Sequence, residues 1–365
     1  MPADAIPSSS RAAGLTPRLF TATVLVAVLF AAGCQIRREP APVGVRFLRV
    51  AEVTRATDRP ALSPIAWSPD GLQFAYGGRD GVWVHTLGDA VGERIATGGP
   101  ITAVAWARAD DVLAYVDRGM LHTVGPDGRA GRRIPLKGIT SHPVWAPGGD
   151  RLAVVVRQPG AGSSGDRIWI TSADGATLRQ VLWDPRGLGI AVLGWYPDAL
   201  HLFVGLTSPD GEGIVEWWRV RIAYPDFRRL PGPPHQVVEA VLSPSGEWVA
   251  FVAAEPGGER AHIVRHDGSG ARAVSPTGRR IAGLAWASHS DKLAYGVLGS
   301  ETQAEIYAAA TSGEARMPVA TYRLEFPDPA AGLSLAWAPN EMRLAYGSNT
   351  GSTTGPVWMV RFATR

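Results

Sequence analysis

One stretch decides the fold: Trp67-Ser68-Pro69-Asp70-Gly71, followed by the apolar run 72–76. Pro69 presets its own φ angle, Asp70 can bond its own backbone, and Gly71 tolerates positive φ. Because strand-like runs flank these residues on both sides, the stretch predicts a tight turn within a β-hairpin.

The same phrase returns six more times along the chain. The residues equivalent to Trp67, called anchors below, follow at intervals of 39, 39, 50, 47, 44 and 51 residues: Trp106, Trp145, Trp195, Leu242, Trp286 and Trp337. The ninth residue after each anchor is always apolar and ends a second run: Tyr76, Tyr115, Val154, Val204, Phe251, Tyr295 and Tyr346. This constant internal spacing indicates seven repeat units, numbered one to seven below.

Units one to six each contain four short apolar runs bounded by Gly, Pro, Asp or Asn, and unit seven contains the first three. The first run precedes the anchor and the second follows the turn, while the third recurs at 82–86, 120–124, 168–171, 215–222, 262–265, 305–309 and 357–362. Period-2 alternation predicts that all of these runs are strands. Four antiparallel strands per about 45 residues make one blade of a β-propeller. The sequence therefore predicts an all-β, seven-bladed β-propeller of four-stranded antiparallel blades.

The seventh unit ends directly after its third run, so it lacks a fourth strand of its own. A strand-like segment at 46–54 precedes Trp67 by the interval that a fourth strand keeps elsewhere. We therefore expect this N-terminal strand to complete the last blade and close the ring, which removes exposed sheet edges. The anchor indoles are expected to fill the wedges between blades, with each N–H bonded to a loop.

The phrase Trp-Ser-Pro-Asp-Gly-x-x-hydrophobic-Ala-Tyr resembles the repeat of TolB-type and dipeptidyl-peptidase-N-terminal-type propellers, a WD-like class. The resemblance covers residues 46–365. It implies a propeller fold but says little about function, because the class includes scaffolds, enzyme caps and a few enzymes. One departure is clear: TolB-type proteins carry a six-bladed propeller after a separate α/β domain, whereas this chain has seven repeats and no room for that domain.

Composition describes a turn-rich globular protein rather than a disordered one. The 365 residues are 45% hydrophobic and 19% charged, with 43 Gly and 29 Pro. The net charge of +3 is scattered, and no basic run is interleaved with aromatic residues, so we predict no nucleic-acid binding. The single cysteine excludes an intramolecular disulfide and any cysteine-based metal or redox motif.

The N-terminus predicts export and a lipid anchor. Residues 19–32 form a fourteen-residue uncharged run, the length of a signal-peptide hydrophobic region. At its end, Ala31-Ala32-Gly33-Cys34 resembles the lipobox of bacterial lipoproteins, although that pattern prefers Leu where Ala31 stands. The resemblance implies that Cys34 carries diacylglycerol and that Gln35 directs the protein to the outer membrane in a Gram-negative host. The alternative is an ordinary signal peptide cleaved near Ala32.

These observations divide the chain into three parts: a lipoprotein signal peptide at 1–33, a lipidated tether at 34–44, and the propeller at 45–365. The predicted location is extracytoplasmic and membrane-anchored, on the periplasmic or cell-surface side. Two acyl chains are enough for stable anchoring.

Few residues suggest chemistry. No Gly-x-Ser-x-Gly occurs, and the nearest string places Ser334 inside a predicted strand rather than on a nucleophile elbow. None of the eight histidines shows helical metal-ligand spacing; His85 and His122 fall at matching places on third strands, with His262 on the same strand of unit five, and packing roles are favoured. The Asp-Gly pairs at 70, 80, 127, 174, 210 and 267 are interpreted as turns before calcium loops. We assign no catalytic, cofactor-binding or metal-binding residue and no cofactor.

Three features could form a binding surface. Trp217 and Trp218 are adjacent, so a strand would point them to opposite faces and could expose one of them, although packing in the core and between blades is the favoured interpretation. The loops at 160–166 and 347–356 are rich in Gly, Ser and Thr, which also suits plain flexible connections. The leading hypothesis is a monomeric, non-catalytic platform for envelope protein partners. The alternatives are a carbohydrate lyase or lactonase, or a small-ligand sensor, that uses the central channel.

Overall fold

The fold is taken from a computed structural model that describes residues 43–139, 141–158, 165–183, 186–208, 213–223, 226–232, 236–300, 302–323, 332–350 and 353–365. This part of the chain contains strands, the 3-10 turn Val45–Phe47 and no α-helix. Within it, no helix is long and apolar enough to cross a membrane. The predicted signal peptide, Cys34 and most of the tether lie outside the described residues.

The strands follow the predicted units. After β1 (Leu48–Pro60), unit one comprises β2 (Ala66–Trp67), β3 (Gln73–Gly78), β4 (Gly81–Thr86) and β5 (Glu93–Thr97). Unit two comprises β6 (Ala103–Trp106), β7 (Leu113–Asp117), β8 (Met120–Val124) and β9 (Arg132–Lys137). Unit three comprises β10 (Val144–Trp145), β11 (Arg151–Arg157), β12 (Asp166–Ser172) and β13 (Leu178–Trp183). Unit four comprises β14 (Gly189–Trp195), β15 (His201–Thr207), β16 (Ile214–Arg221) and β17 (Phe227–Arg229).

The last three units continue the pattern. Unit five comprises β18 (Val237–Leu242), β19 (Trp248–Glu255), β20 (Gly258–Arg265) and β21 (Arg272–Ala273). Unit six comprises β22 (Ile281–Trp286), β23 (Lys292–Ser300), β24 (Gln303–Ala310) and β25 (Arg316–Arg323). Unit seven comprises β26 (Leu333–Trp337), β27 (Arg343–Thr350), β28 (Thr353–Thr354) and β29 (Pro356–Thr364). In each unit the strands pair antiparallel in chain order, apart from the short β28, which pairs only with β27. Units four and five share one sheet because a single residue pair, Ile214 and Val237, joins β16 to β18.

The N-terminal strand has the partner expected from the sequence. β1 pairs antiparallel with β29, from Leu48 opposite Thr364 to Pro60 opposite Pro356. The predicted limits of this strand, 46–54, were wrong: residues 45–47 form the 3-10 turn, and the strand continues to residue 60. The extra residues were missed because β1 follows β29 through two register irregularities that interrupt its alternation.

The core lies between units rather than within them. Seven hydrophobic clusters each combine residues of two successive units, and one of them joins unit one to unit seven through residues such as Phe74 and Val357. The anchor indoles lie in these wedges, as predicted, but they do not bond to loops. Four of them donate Nε1–H to the carbonyl oxygen of the residue just before the preceding unit's anchor: Trp67 to Ala336, Trp145 to Ala105, Trp195 to Val144 and Trp286 to Val241.

The turn after each anchor repeats as the opening stretch predicted. Gly71 has φ +69°, and its N–H donates to the Ser68 carbonyl at 3.0 Å. The equivalent position has positive φ in five further units: Gly149, Ala199, Gly246, Ser290 and Glu341. Four of the Asp-Gly pairs form turns as predicted, because Asp70, Asp127, Asp174 and Asp267 each accept the N–H two residues on. Asp80 instead accepts from the Trp83 indole and from Arg94. Asp210 lies outside the described residues.

Candidate functional site: the channel mouth

The first strands of units two to five converge on a cavity of about 330 Å³. The residues directly before three anchors, Ala105, Val144 and Gly194, line its wall. Three anchor indoles, those of Trp106, Trp145 and Trp195, complete that wall. We call this cavity the channel mouth, since the turns that follow the anchors form its rim.

The rim consists mainly of proline. The second residue after the anchor is Pro147, Pro197 and Pro244 in units three to five, and all three line the channel mouth. Proline is preferred here because it presets φ at an early turn position. In unit two the same position holds Arg108, which also lines the cavity. Among the described lining residues, Arg108 alone carries an ionisable side chain.

The guanidinium of Arg108 has no counterion. Within the described part of the chain, no carboxylate, hydrogen-bond acceptor or aromatic ring pairs with it. Solvent reaches the side chain, yet the surrounding protein removes enough water that desolvation lowers the pKa of Arg108. The channel mouth is therefore an apolar recess with one unpaired cation.

Two further ionisable groups lie three residues before an anchor, at or near the first strand of their unit. The carboxylate of Glu239, in β18, accepts the N–H of Leu284 in β22, and burial raises its pKa to about 7. The equivalent residue of unit seven, Ser334, accepts the N–H of Ile65 at 2.9 Å. In unit three the position holds His142, whose pKa burial lowers. Side chains at this repeat position thus either accept a hydrogen bond from a neighbouring unit, as Glu239 and Ser334 do, or are partly desolvated by the surrounding protein, as His142 is.

A second cavity, of about 480 Å³, lies near the start of the described chain. It is lined by Gly44, Trp248, Asp291 and Thr311, among others. The guanidinium carbons of Arg265 and Arg272 each lie 4.8 Å from the centroid of the Trp248 ring. The indole therefore makes cation–π contacts with both arginines.

The histidines singled out from the sequence take part in packing. His122 stacks on Tyr115 with ring centroids 5.0 Å apart, and His262 stacks on Phe251 at 5.2 Å. The prediction that His85 and His122 occupy matching places was wrong. His85 pairs with Phe74, and Trp83 takes the place equivalent to His122. His85 lies two residues beyond the position equivalent to His122, so it is on the same face of the strand but farther along it.

These histidines belong to a repeated cross-strand pair. The ninth residue after every anchor lies opposite an aromatic or imidazole ring on the third strand: Trp83, His122, Trp169, Trp218, His262, Tyr307 and Trp358. Within the described residues, no group of three His, Cys, Asp or Glu side chains could hold a metal ion.

The other predicted features have separate locations. Trp217 is buried against Phe203 and Phe251, whereas Trp218 is partly exposed and donates to Glu216, so the two rings point to opposite faces as expected. Ser334 lies inside β26 and is occupied by its bond to Ile65. Parts of the loops at 160–166 and 347–356 lie outside the described residues.

No protein-family model and no curated protein matches this sequence. Solved structures do match the fold. An oligogalacturonate lyase in complex with manganese is 13% identical, with a TM-score of 0.67 over 86% of this chain and 95% of that chain. A putative TolB from Agrobacterium tumefaciens is 14% identical, with a TM-score of 0.52 over 75% of this chain and 94% of that chain.

A third match is the β-propeller domain of Cps50 (Swd1) from Myceliophteria thermophila, 15% identical, with a TM-score of 0.58 over 85% of this chain and 99% of that chain. The chain is a β-propeller. At these identities the likeness concerns the fold alone, and this propeller's function has to be argued from its own site.

Proposed function

We propose that this propeller is a monomeric, non-catalytic platform that binds protein partners at the cell envelope, anchored outside the cytoplasm by a lipid on Cys34. The observation that carries the proposal is the apolar channel mouth. Its wall of Ala105, Val144 and anchor indoles, with a rim of prolines, suits recognition of a protein segment better than proton transfer.

The proposal includes a ring of seven blades, one per repeat unit. Pairing of β1 with β29 supports closure, because it supplies the fourth strand that unit seven lacks. The hydrophobic cluster between units one and seven supports it independently. A closed ring gives a rigid rim, and rigidity reduces the entropy that binding would otherwise cost.

Photo-crosslinking in intact membranes tests the platform. We would place a photoreactive amino acid at Ala109, an exposed rim residue of unit two, and at Val91, which is 75% exposed on the outer part of unit one. A discrete protein adduct from position 109, and none from position 91, is expected and can be identified by mass spectrometry. Equal labelling at both positions, or none at either, would contradict the proposal.

The anchor is tested separately with Cys34→Ser. The wild type should incorporate radiolabelled palmitate and fractionate with membranes, whereas the variant should do neither. Membrane fractionation of the variant, together with an unlabelled wild type, would refute lipidation. Light scattering of the detergent-solubilised protein tests the monomeric state.

A second candidate is an enzyme of the carbohydrate-lyase or lactonase type, or a sensor, acting in the channel. Two observations favour it: burial raises the pKa of Glu239 to about 7, a value suited to general acid–base catalysis, and one structure with a similar fold is an oligogalacturonate lyase. The purified protein would be assayed on oligogalacturonates with and without manganese, and on lactones. Turnover that Glu239→Gln abolishes would favour this candidate over the platform.

A further inference from the structure

The rim of the channel mouth departs from the repeat at the position of Arg108. Units one, three, four, five and seven hold proline as the second residue after the anchor, and unit six holds Ser288. Neither proline nor serine carries charge, so Arg108 is the one cation at this repeat position. The turn does not need arginine here, since proline serves it in the other units.

The surroundings of Arg108 give the charge nothing to bind. The described residues that line the cavity with it have no charged side chain; their polar side-chain groups are the Ser243 hydroxyl, 3.1 Å from that of Ser245, and the indole N–H groups of Trp106, Trp145 and Trp195. Arg108 is solvent-exposed, so its charge costs the free protein little, and its guanidinium donors are open to a ligand. A ligand carboxylate would form charge-assisted hydrogen bonds with these donors beside the apolar walls of the cavity. The site should therefore bind an anionic ligand more tightly than a neutral one.

The walls limit which anion fits. A guanidinium offers its N–H donors as a planar fork that matches a carboxylate bidentately. Phosphate groups commonly require several cations or backbone donors, and here a single cation faces apolar side chains. The cavity of about 330 Å³ has room for a side chain or chain end rather than a folded domain.

The walls are also preorganised. Trp145 donates its indole N–H to the Ala105 carbonyl at 3.2 Å, and Trp195 donates to the Val144 carbonyl at 2.9 Å. These bonds hold both rings against neighbouring units, so the apolar surface needs little rearrangement on binding.

We propose that the channel mouth binds a carboxylate carried on an apolar group, with Arg108 forming the ion pair and the indoles of Trp145 and Trp195 contacting the apolar part. This inference rests on the proposed platform function, because it assigns the carboxylate to a segment of the protein partner. Small organic acids also carry a carboxylate on an apolar group, and the test below distinguishes them from a protein segment.

The test uses full-length protein in mild detergent and isothermal titration calorimetry. The probes are N-acetyl-phenylalanine and its amide, which differ only in the carboxylate, and the tripeptide N-acetyl-Pro-Leu-Phe with a free or amidated C-terminus. We expect each acid to bind at least about tenfold more tightly than its amide, because charged hydrogen bonds are the stronger ones. The tripeptide acid should bind more tightly than the single residue if the site accepts a protein segment.

Arg108→Gln should reduce acid binding at least about tenfold and leave amide binding unchanged. Arg108→Lys should retain part of the affinity, since it keeps the charge but not the fork. Arg129→Gln is the matched control, because this arginine belongs to the same unit with its side chain 87% exposed. Thermal melting checks folding; Arg108→Gln should melt no lower than wild type, because the exposed Arg108 side chain forms no ion pair or hydrogen bond with the described residues that the change would remove.

Equal affinity for acids and amides, no binding of either, or unchanged acid binding by Arg108→Gln would overturn the carboxylate site. Equal affinity for the single residue and the tripeptide would assign the carboxylate site to free organic acids.

Failure of the platform proposal can be distinguished from failure of the carboxylate site. If crosslinking at Ala109 yields no partner while Arg108 still selects acids, the platform is wrong and the site remains. If a partner crosslinks equally in wild type and Arg108→Gln, the platform remains and the site is wrong.

Discussion

The indole Nε1–H of Trp67 donates a hydrogen bond to the carbonyl oxygen of Ala336, 3.0 Å away and 269 residues later in the chain. Trp286 makes the same bond to Val241 of the unit just before it, at 3.2 Å. The contact between the first and last units therefore uses the same geometry as a contact between consecutive units.

We predict that Trp67→Phe lowers the free energy of unfolding more than Trp106→Phe does. Both changes remove similar volume, but the Nε1–H of Trp106 is buried without an acceptor among the described residues. The excess loss for Trp67 should be about 1–2 kcal/mol, the worth of one hydrogen bond with an unsatisfied carbonyl left behind. Urea unfolding of both variants measures the difference. Equal losses would show that the Trp67 bond contributes nothing.

Much of the fold follows from local sequence because each unit repeats one local solution. A turn of Pro, Asp and Gly between two alternating runs is enough to predict the hairpin formed by the first and second strands of a unit, without knowledge of distant contacts. The limits of β1 were harder to predict, because they depend on pairing with β29, about 300 residues away, through an irregular register.

The site was less predictable for a related reason. The sequence shows that Arg108 replaces proline, yet this loss alone does not reveal that the position faces a cavity shared by units two to five. Lys292 is a similar case: it follows Asp291 in a polar turn, as an exposed lysine would, yet its side chain is fully buried. Both depend on how neighbouring units pack, which the pattern within one unit does not encode.

We predict that Glu341→Gln destabilises the protein by about 1–3 kcal/mol, because it removes one of the two carboxylates that pair with buried Lys292. Asp291, 2.8 Å from the Lys292 ammonium, would then be its remaining partner. Glu314→Gln, at an exposed position, is the control and should change stability little. The double variant Lys292→Met, Glu341→Gln should be more stable than Glu341→Gln alone. A double variant as unstable as the sum of both single changes would contradict this account.

The same carboxylate predicts a pH dependence. Burial acts to raise the pKa of Glu341, but hydrogen bonds from Lys292 and from the His289 N–H outweigh it and leave the pKa below its usual value. A lowered carboxyl pKa stabilises the fold above the unfolded value of about 4.3, and this contribution is lost as pH falls through the folded value. The stability gap between wild type and Glu341→Gln should therefore be constant from about pH 5 to 7 and shrink below about pH 4. A constant gap across the acid range would refute it.

Glu239 predicts the opposite pH dependence: its contribution to stability falls as the pH rises. Burial raises its pKa to about 7, partly opposed by the N–H of Leu284 and reinforced by the charge of Glu259. Between about pH 4.3 and 7 the unfolded chain ionises this group while the folded chain resists, so the fold loses stability as pH rises. Glu239→Gln keeps an oxygen for the Leu284 N–H and should stabilise the protein by about 1–3 kcal/mol at pH 8, with almost no effect near pH 4. Denaturant titrations at both pH values measure this, with exposed Glu247→Gln as the control.

Two turns at the same repeat position should respond in opposite directions to exchange of glycine and alanine. Gly246 has φ +72°, and a Cβ there would lie 2.6 Å from Cδ of Pro197 in the preceding unit, so Gly246→Ala adds left-handed strain and a clash. We expect a loss of about 2–5 kcal/mol. Ala199 already has φ +52°, and Ala199→Gly should relieve that strain and raise the unfolding free energy by up to about 1 kcal/mol. Urea unfolding of both variants compares them directly. If Gly246→Ala proved as stable as wild type, the rim turns would not be packed as closely as the structure places them.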